Sequence, residues 1–119
     1  MKNIVQRLAV CAVGSFLLVS TVYAVDMGSV SISSPKNGST VMAGTMLKLV
    51  YNVKLGPEGN HLHVYVDDEK PIVVRNVSNC PCSIELPGLS AGMHTIVIDQ
   101  ARADHSLTGV KTSIIITAK

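Results

Sequence analysis

The residues best suited to chemistry fall in one stretch, His61-Leu62-His63-Val64-Tyr65-Val66-Asp67-Asp68. Its apolar residues recur at every second position, the period of a strand with one buried face. Leu62, Val64 and Val66 share that face, while His61, His63 and Tyr65 share the other. Two imidazoles at i and i+2 on a strand point the same way, so both can reach one ion. A third ligand from a neighbouring loop would complete a trigonal or tetrahedral site of the kind that His and Cys donors build around zinc or copper. The alternative is that both rings simply face water. The other reactive pair is Cys80 and Cys82, in Asn79-Cys80-Pro81-Cys82. A bridge from i to i+2 closes a very small ring, and three states stay open: a local disulfide, two thiols acting as metal ligands, or a bond to another chain. Thiolates would tilt a site toward Cu(I) or Zn(II). Met27, Met42, Met46 and Met93 could add soft ligands, but scattered methionines more often fill a core. Taken alone, His105 reads as a solvated loop residue and His94 as a half-buried partner of a backbone carbonyl.

The elements that must position these groups follow from the rest of the chain. It opens with Lys2 and Arg7, continues with an apolar run from Leu8 to Val22, and reaches the small residue Ala24. Positive start, apolar middle and small-residue exit are the parts of a secretory signal peptide. The expectation is a signal over 1–24, taking Cys11 with it, and one small domain over 25–119 that is secreted or periplasmic and free of the membrane after cleavage. Of 10 basic residues two lie in the signal, which leaves 8 against 8 acidic ones. A neutral domain has no electrostatic grip on nucleic acid or anionic lipid. With no Trp, and only Tyr51 and Tyr65 beyond the signal, a stacked aromatic platform for sugar or single-stranded nucleic acid is not expected.

Short alternating segments recur along the domain: Met27 to Ser34, Leu47 to Lys54, the histidine stretch, Ile72 to Val74, Ser83 to Leu86, Met93 to Ala101, and Val110 to Ala118. Val41-Met42 is only an apolar step. Turns rich in Pro, Gly and Asn separate the segments, as in Pro35-Lys36-Asn37-Gly38-Ser39 and Gly56-Pro57-Glu58-Gly59-Asn60. No helical period runs through the domain. Seven short strands at this spacing predict an all-β, antiparallel sandwich.

Ser34-Pro35-Lys36-Asn37-Gly38-Ser39, Val64-Tyr65-Val66-Asp67-Asp68, Leu86-Pro87, Ala91-Gly92-Met93-His94-Thr95-Ile96-Val97-Ile98 and Ile114-Ile115-Ile116-Thr117 together resemble the bacterial immunoglobulin-like domains. The resemblance covers nearly all of 25–119 and implies a single immunoglobulin-like sandwich, a shape that serves many roles. His61-Leu62-His63 ahead of an Asp turn also looks like the His-bearing strand of small secreted bacterial domains, and the sandwich is similar in class to periplasmic copper carriers. Their N-terminal ligating histidine has no counterpart at Val25. The strand order this resemblance implies gathers His61, His63, His105, Cys80 and Cys82 at one rim, with Asp99 and Asp104 near and His94 at the opposite end.

No nucleophile on a strained elbow and no glycine-rich phosphate loop appears, so an enzyme is not expected. Forcing a hydrolytic zinc site would require His61, His63 and His105 with Glu58 as base. Two functions remain. The first is a secreted, non-enzymatic module that binds another envelope protein or shapes the envelope. The second is a periplasmic copper or zinc binding protein that uses the His-x-His strand with Cys80, Cys82 and His105.

Overall fold

The computed structural model describes residues 25–119; the expected signal peptide lies outside the described residues. Eight strands follow one another: β1 (Gly28–Ser34), β2 (Thr40–Val41), β3 (Leu47–Leu55), β4 (His61–Val66), β5 (Ile72–Val74), β6 (Cys82–Leu86), β7 (Gly92–Ala101) and β8 (Leu107–Ala118). They form two sheets, one ordered β1-β3-β6 and the other β2-β8-β7-β4-β5. Neighbours pair antiparallel except β2, which runs parallel to β8. The strand beyond the seven expected is β2. Its two residues pair with Thr117 and Ala118, too short a run for alternation to reveal. The last strand starts at Leu107 rather than Val110, because the β7–β8 connection is a tight turn. There Arg102 donates its N–H to Ser106 O, and His105 donates to Arg102 O.

The core lies between the sheets. Leu49, Tyr51, Leu62, Val64, Leu86, Ile96, Ile98 and Ile116 are all buried there. Burial of an aliphatic side chain of this size stabilises by about 1.5–3 kcal/mol. Branched residues and leucines fill the space, so methionine has no gap to occupy. Met27, Met42, Met46 and Met93 are 48–71 % exposed and are not core filler. The Tyr51 hydroxyl meets its need by donating to Asn76 O at 2.7 Å.

Register carries the histidines to one end of the larger sheet. β4 lies between β5 and β7, with His61 opposite Ala101, Leu62 opposite Gln100 and His63 opposite Asp99. Leu62, Val64 and Val66 enter the core, so alternation turns His61, His63 and Tyr65 to the outer face. Gln100, in phase with Ile96 and Ile98, points inward beneath that end. It is fully buried and clips the two sheets together. Its Nε2 donates to Ser29 O at 3.0 Å and Lys54 O at 2.9 Å, and its Oε1 accepts from the Gly56 N–H at 3.2 Å. Gly56 must lack a side chain here, because a Cβ would stand 2.0 Å from Met27 O. From this pinned corner the turn runs to Asn60, whose N–H donates to Ala101 O at 2.8 Å, and starts β4 in register.

A candidate metal centre of three histidines

Three imidazoles converge at the end of β4. His61 Nε2 lies 3.1 Å from His63 Nε2 and 3.1 Å from His105 Nδ1, and His63 Nε2 lies 3.2 Å from His105 Nδ1. These three nitrogens are the one group of at least three His, Cys, Asp or Glu ligand atoms that gathers within 4.8 Å among the described residues. His61 is 0 % and His63 6 % exposed, so neither ring faces water; His105 covers them from the β7–β8 turn and is itself exposed. The ring of His61 meets that of His105 edge-on, and the rings of His63 and His105 stack.

Backbone conformation aims the third ring. His105 has φ +74°, in the left-handed region that a residue with a Cβ seldom adopts. The turn holds it there. Asp104 Oδ1 accepts from the Ser106 N–H at 3.0 Å and its hydroxyl at 2.7 Å, and Arg102 donates to Leu107 O at 2.7 Å and to Glu58 at 2.6 Å. The Ser106 hydroxyl and N–H hold the Asp104 carboxyl below the usual carboxylate range.

Behind the cluster, Asn60 Oδ1 accepts from Arg75 Nη1 at 3.3 Å and stands 2.9 Å from His61 Nδ1. Arg75 can only donate, so the atom facing it is the amide oxygen. The proton on His61 therefore sits on Nδ1, and Nε2 presents a lone pair to the cluster. Burial, then the charge of Arg75 and the neighbouring rings, pulls His61 below the ordinary imidazole range. Burial and His105 do the same for His63, against the opposing pull of Asp99. Both rings are biased toward the neutral form that binds metal.

The triangle has a further property. Each nitrogen is at any moment either an N–H donor or a lone-pair acceptor. A satisfied contact needs one of each. Around a ring of three members the roles cannot alternate, so in every protonation state at least one of the three contacts sets like against like. A cation bound by all three resolves the conflict, because all three nitrogens then present lone pairs to it.

Other expected members lie elsewhere. Cys80 and Cys82 are bonded to each other in a disulfide and supply no thiolate, which corrects the expectation of sulfur ligands at this rim. The connection after β5 carries the chain across to the smaller sheet, where Cys82 pairs opposite Tyr51, while the histidines stand on the outer face of the larger sheet. Asp99 flanks His63 across the β4–β7 ladder and is 6 % exposed, with its pKa raised by burial, yet its carboxylate is not in the converging group. Asp104 is occupied in the turn, and Glu58 is paired with Arg102. His94 lies at the far end, where Nδ1 meets Asp67 Oδ2 at 2.7 Å and Nε2 meets Ser90 O at 2.7 Å. It borders an open cleft of about 480 Å³ lined by Val66, Ile72 and Leu89 among others. Sequence reasoning missed Asn60, Arg75 and Gln100. Only Gln100 left a signal, an amide in the inward phase of an otherwise aliphatic strand.

No family model and no curated protein matches the chain. Among solved structures it is similar to the fibronectin(III)-like modules of Clostridium thermocellum CbhA, with a TM-score of 0.59 and 18 % identity over 76 % of this chain and 94 % of that one. The likeness is one of fold: the chain is an immunoglobulin-like, fibronectin(III)-like β-sandwich.

Proposed function

We propose that this protein is a non-enzymatic sandwich module that holds one late first-row transition ion, zinc or copper, on His61, His63 and His105. The observation that carries the reading is the closed triangle of ring nitrogens at 3.1–3.2 Å, a contact set that hydrogen bonding alone cannot satisfy and a cation can. The His61 tautomer set by Asn60 supports it, since Nε2 is already turned inward as a lone pair. With the sulfurs tied in a disulfide the donors are all imidazole, which suits Zn(II) and Cu(II) and removes the tilt toward Cu(I). The N-terminal sequence supports an exported, periplasmic or secreted setting for this role.

The test is calorimetric titration of the purified protein with Zn(II) and Cu(II), and with Cu(I) under reductant. It is repeated on His61→Ala, His63→Ala and the surface-turn variant His105→Ala, each checked for folding by circular dichroism. One ion per chain with sub-micromolar affinity is expected, weakened at least tenfold in every variant. Micromolar or weaker binding, or folded variants that bind as the parent does, would overturn the proposal and leave an envelope interaction module as the better reading.

A further inference from the structure

We infer that the ion's fourth coordination position belongs to a small monodentate anion from solution. This inference rests on the three-histidine reading and deepens it. Nitrogens 3.1–3.2 Å apart lie about 1.8 Å from the centre of their triangle, less than the roughly 2.0–2.1 Å of a metal–imidazole bond. The ion therefore cannot sit in their plane. It stands about 1 Å to one side, with N–metal–N angles of about 100°, nearer the tetrahedral value than the trigonal one. A planar three-coordinate ion would need the nitrogens to spread to roughly 3.5 Å. A pyramid of three ligands leaves its apex for a fourth.

Among the described residues no further His, Cys, Asp or Glu is placed to fill that apex. No Cys, Asp or Glu atom of the described residues joins the three nitrogens within 4.8 Å, and the Cys80 and Cys82 sulfurs are bonded to each other at the other sheet. His61 and His63 both rise from the face of the larger sheet opposite the core, and the third ring, His105, is exposed, so an apex on the solvent side of the three nitrogens is open to a ligand from solution. Charge selects the class of ligand. Three neutral imidazoles leave a divalent ion with both its charges, and Arg75 adds another positive charge behind His61. Among the described residues Asp99 is the sole buried carboxylate, and Lys111 stands opposite it in the ladder. An anion is favoured over a neutral donor. The burial of two of the three rings restricts it to a small one.

The experiment loads purified protein with one equivalent of Cu(II) and titrates azide while following visible absorption, with benzoate as a bulky comparison. A new charge-transfer band that saturates at one azide per copper, with benzoate binding at least tenfold more weakly, is expected. Copper that binds but leaves its spectrum unchanged under azide overturns this inference alone. An Asp99→Asn variant then identifies the protein ligand if it gains the azide band. Benzoate binding as well as azide overturns the size selection. Failure to take up copper overturns both this inference and the three-histidine reading.

Discussion

Replacing His105 by Asn should make the protein more stable in chelator and less stable in zinc. The side chain sits at φ +74°, where a residue with a Cβ is disfavoured by about 1–2 kcal/mol and Asn is better tolerated. The substitution also breaks the triangle, which leaves His61 and His63 as a pair in which one ring can donate to the other. Lost stacking against His63 offsets part of this gain. A net stabilisation of about 1 kcal/mol raises the melting temperature of a domain this size by about 4–8 °C. Zinc at a hundred times its Kd adds about 2.7 kcal/mol to the parent and little to the variant, so the order of the two melting temperatures inverts. Scanning calorimetry with chelator and with zinc reads both halves. A variant that melts below the parent in chelator refutes the conflict and strain argument. A variant that gains as much from zinc refutes the ligand assignment.

Asn60→Ala removes the acceptor that fixes the His61 tautomer and should weaken zinc binding about 10–100-fold, whereas Asn60→Asp keeps an oxygen there and should bind at least as well as the parent; competition with a chromophoric chelator measures both. Gln100→Leu leaves the Ser29 and Lys54 carbonyls and the Gly56 amide without their clip. At about 1 kcal/mol for each of three bonds, partly offset by the added apolar burial, the expected loss is about 2–3 kcal/mol in urea unfolding, and under 1 kcal/mol would show that the clip is dispensable. The His94–Asp67 contact should give a pH-dependent contribution of at most about 1 kcal/mol, because the pair is partly exposed. The Asp67 carboxylate, then the Ser90 carbonyl, raises the His94 pKa, and His94, then the Thr95 N–H, lowers that of Asp67. Stability from His94 is therefore full below the ordinary imidazole pKa and fades as pH rises through its raised value. Stability from Asp67 fades as pH falls through its lowered value. Urea midpoints of the parent and His94→Gln should differ most near pH 5–6 and converge toward pH 9; a difference that grows with pH would reverse the assignment.

Alternation made most of this fold legible. Leu62, Val64 and Val66, and then Ile96 and Ile98, carry the strand period in the chain itself, and the turns announce themselves through Pro, Gly and Asn. The two-residue strand Thr40–Val41 was not legible, since pairing with Thr117 and Ala118 is a long-range fact that no local pattern encodes. The exposed methionines show a related limit: an apolar residue in sequence need not be an inside one, because the core is finite and other side chains had filled it.

The candidate site divides along the same line. His61 and His63 were readable as a pair because a strand fixes side-chain direction two residues apart. The meeting with His105 depends on β4 and β7 being neighbours with His61 opposite Ala101, which carries the β7–β8 turn over the pair. The cysteines fail as ligands for the same reason in reverse: one more crossing between the sheets takes Cys82 to the partner of Tyr51. Asn60 and Arg75 were invisible because their role exists only once the ring of His61 has been placed. The sandwich needs none of this to fold. The core is complete without the outer face of β4, and any pair of polar residues at 61 and 63 would keep the alternation. A chain that instead buries two imidazoles there, places a third in a left-handed turn and fixes the His61 proton on the side away from the cluster has features that stability alone does not select. They are accounted for together when the three nitrogens share an ion.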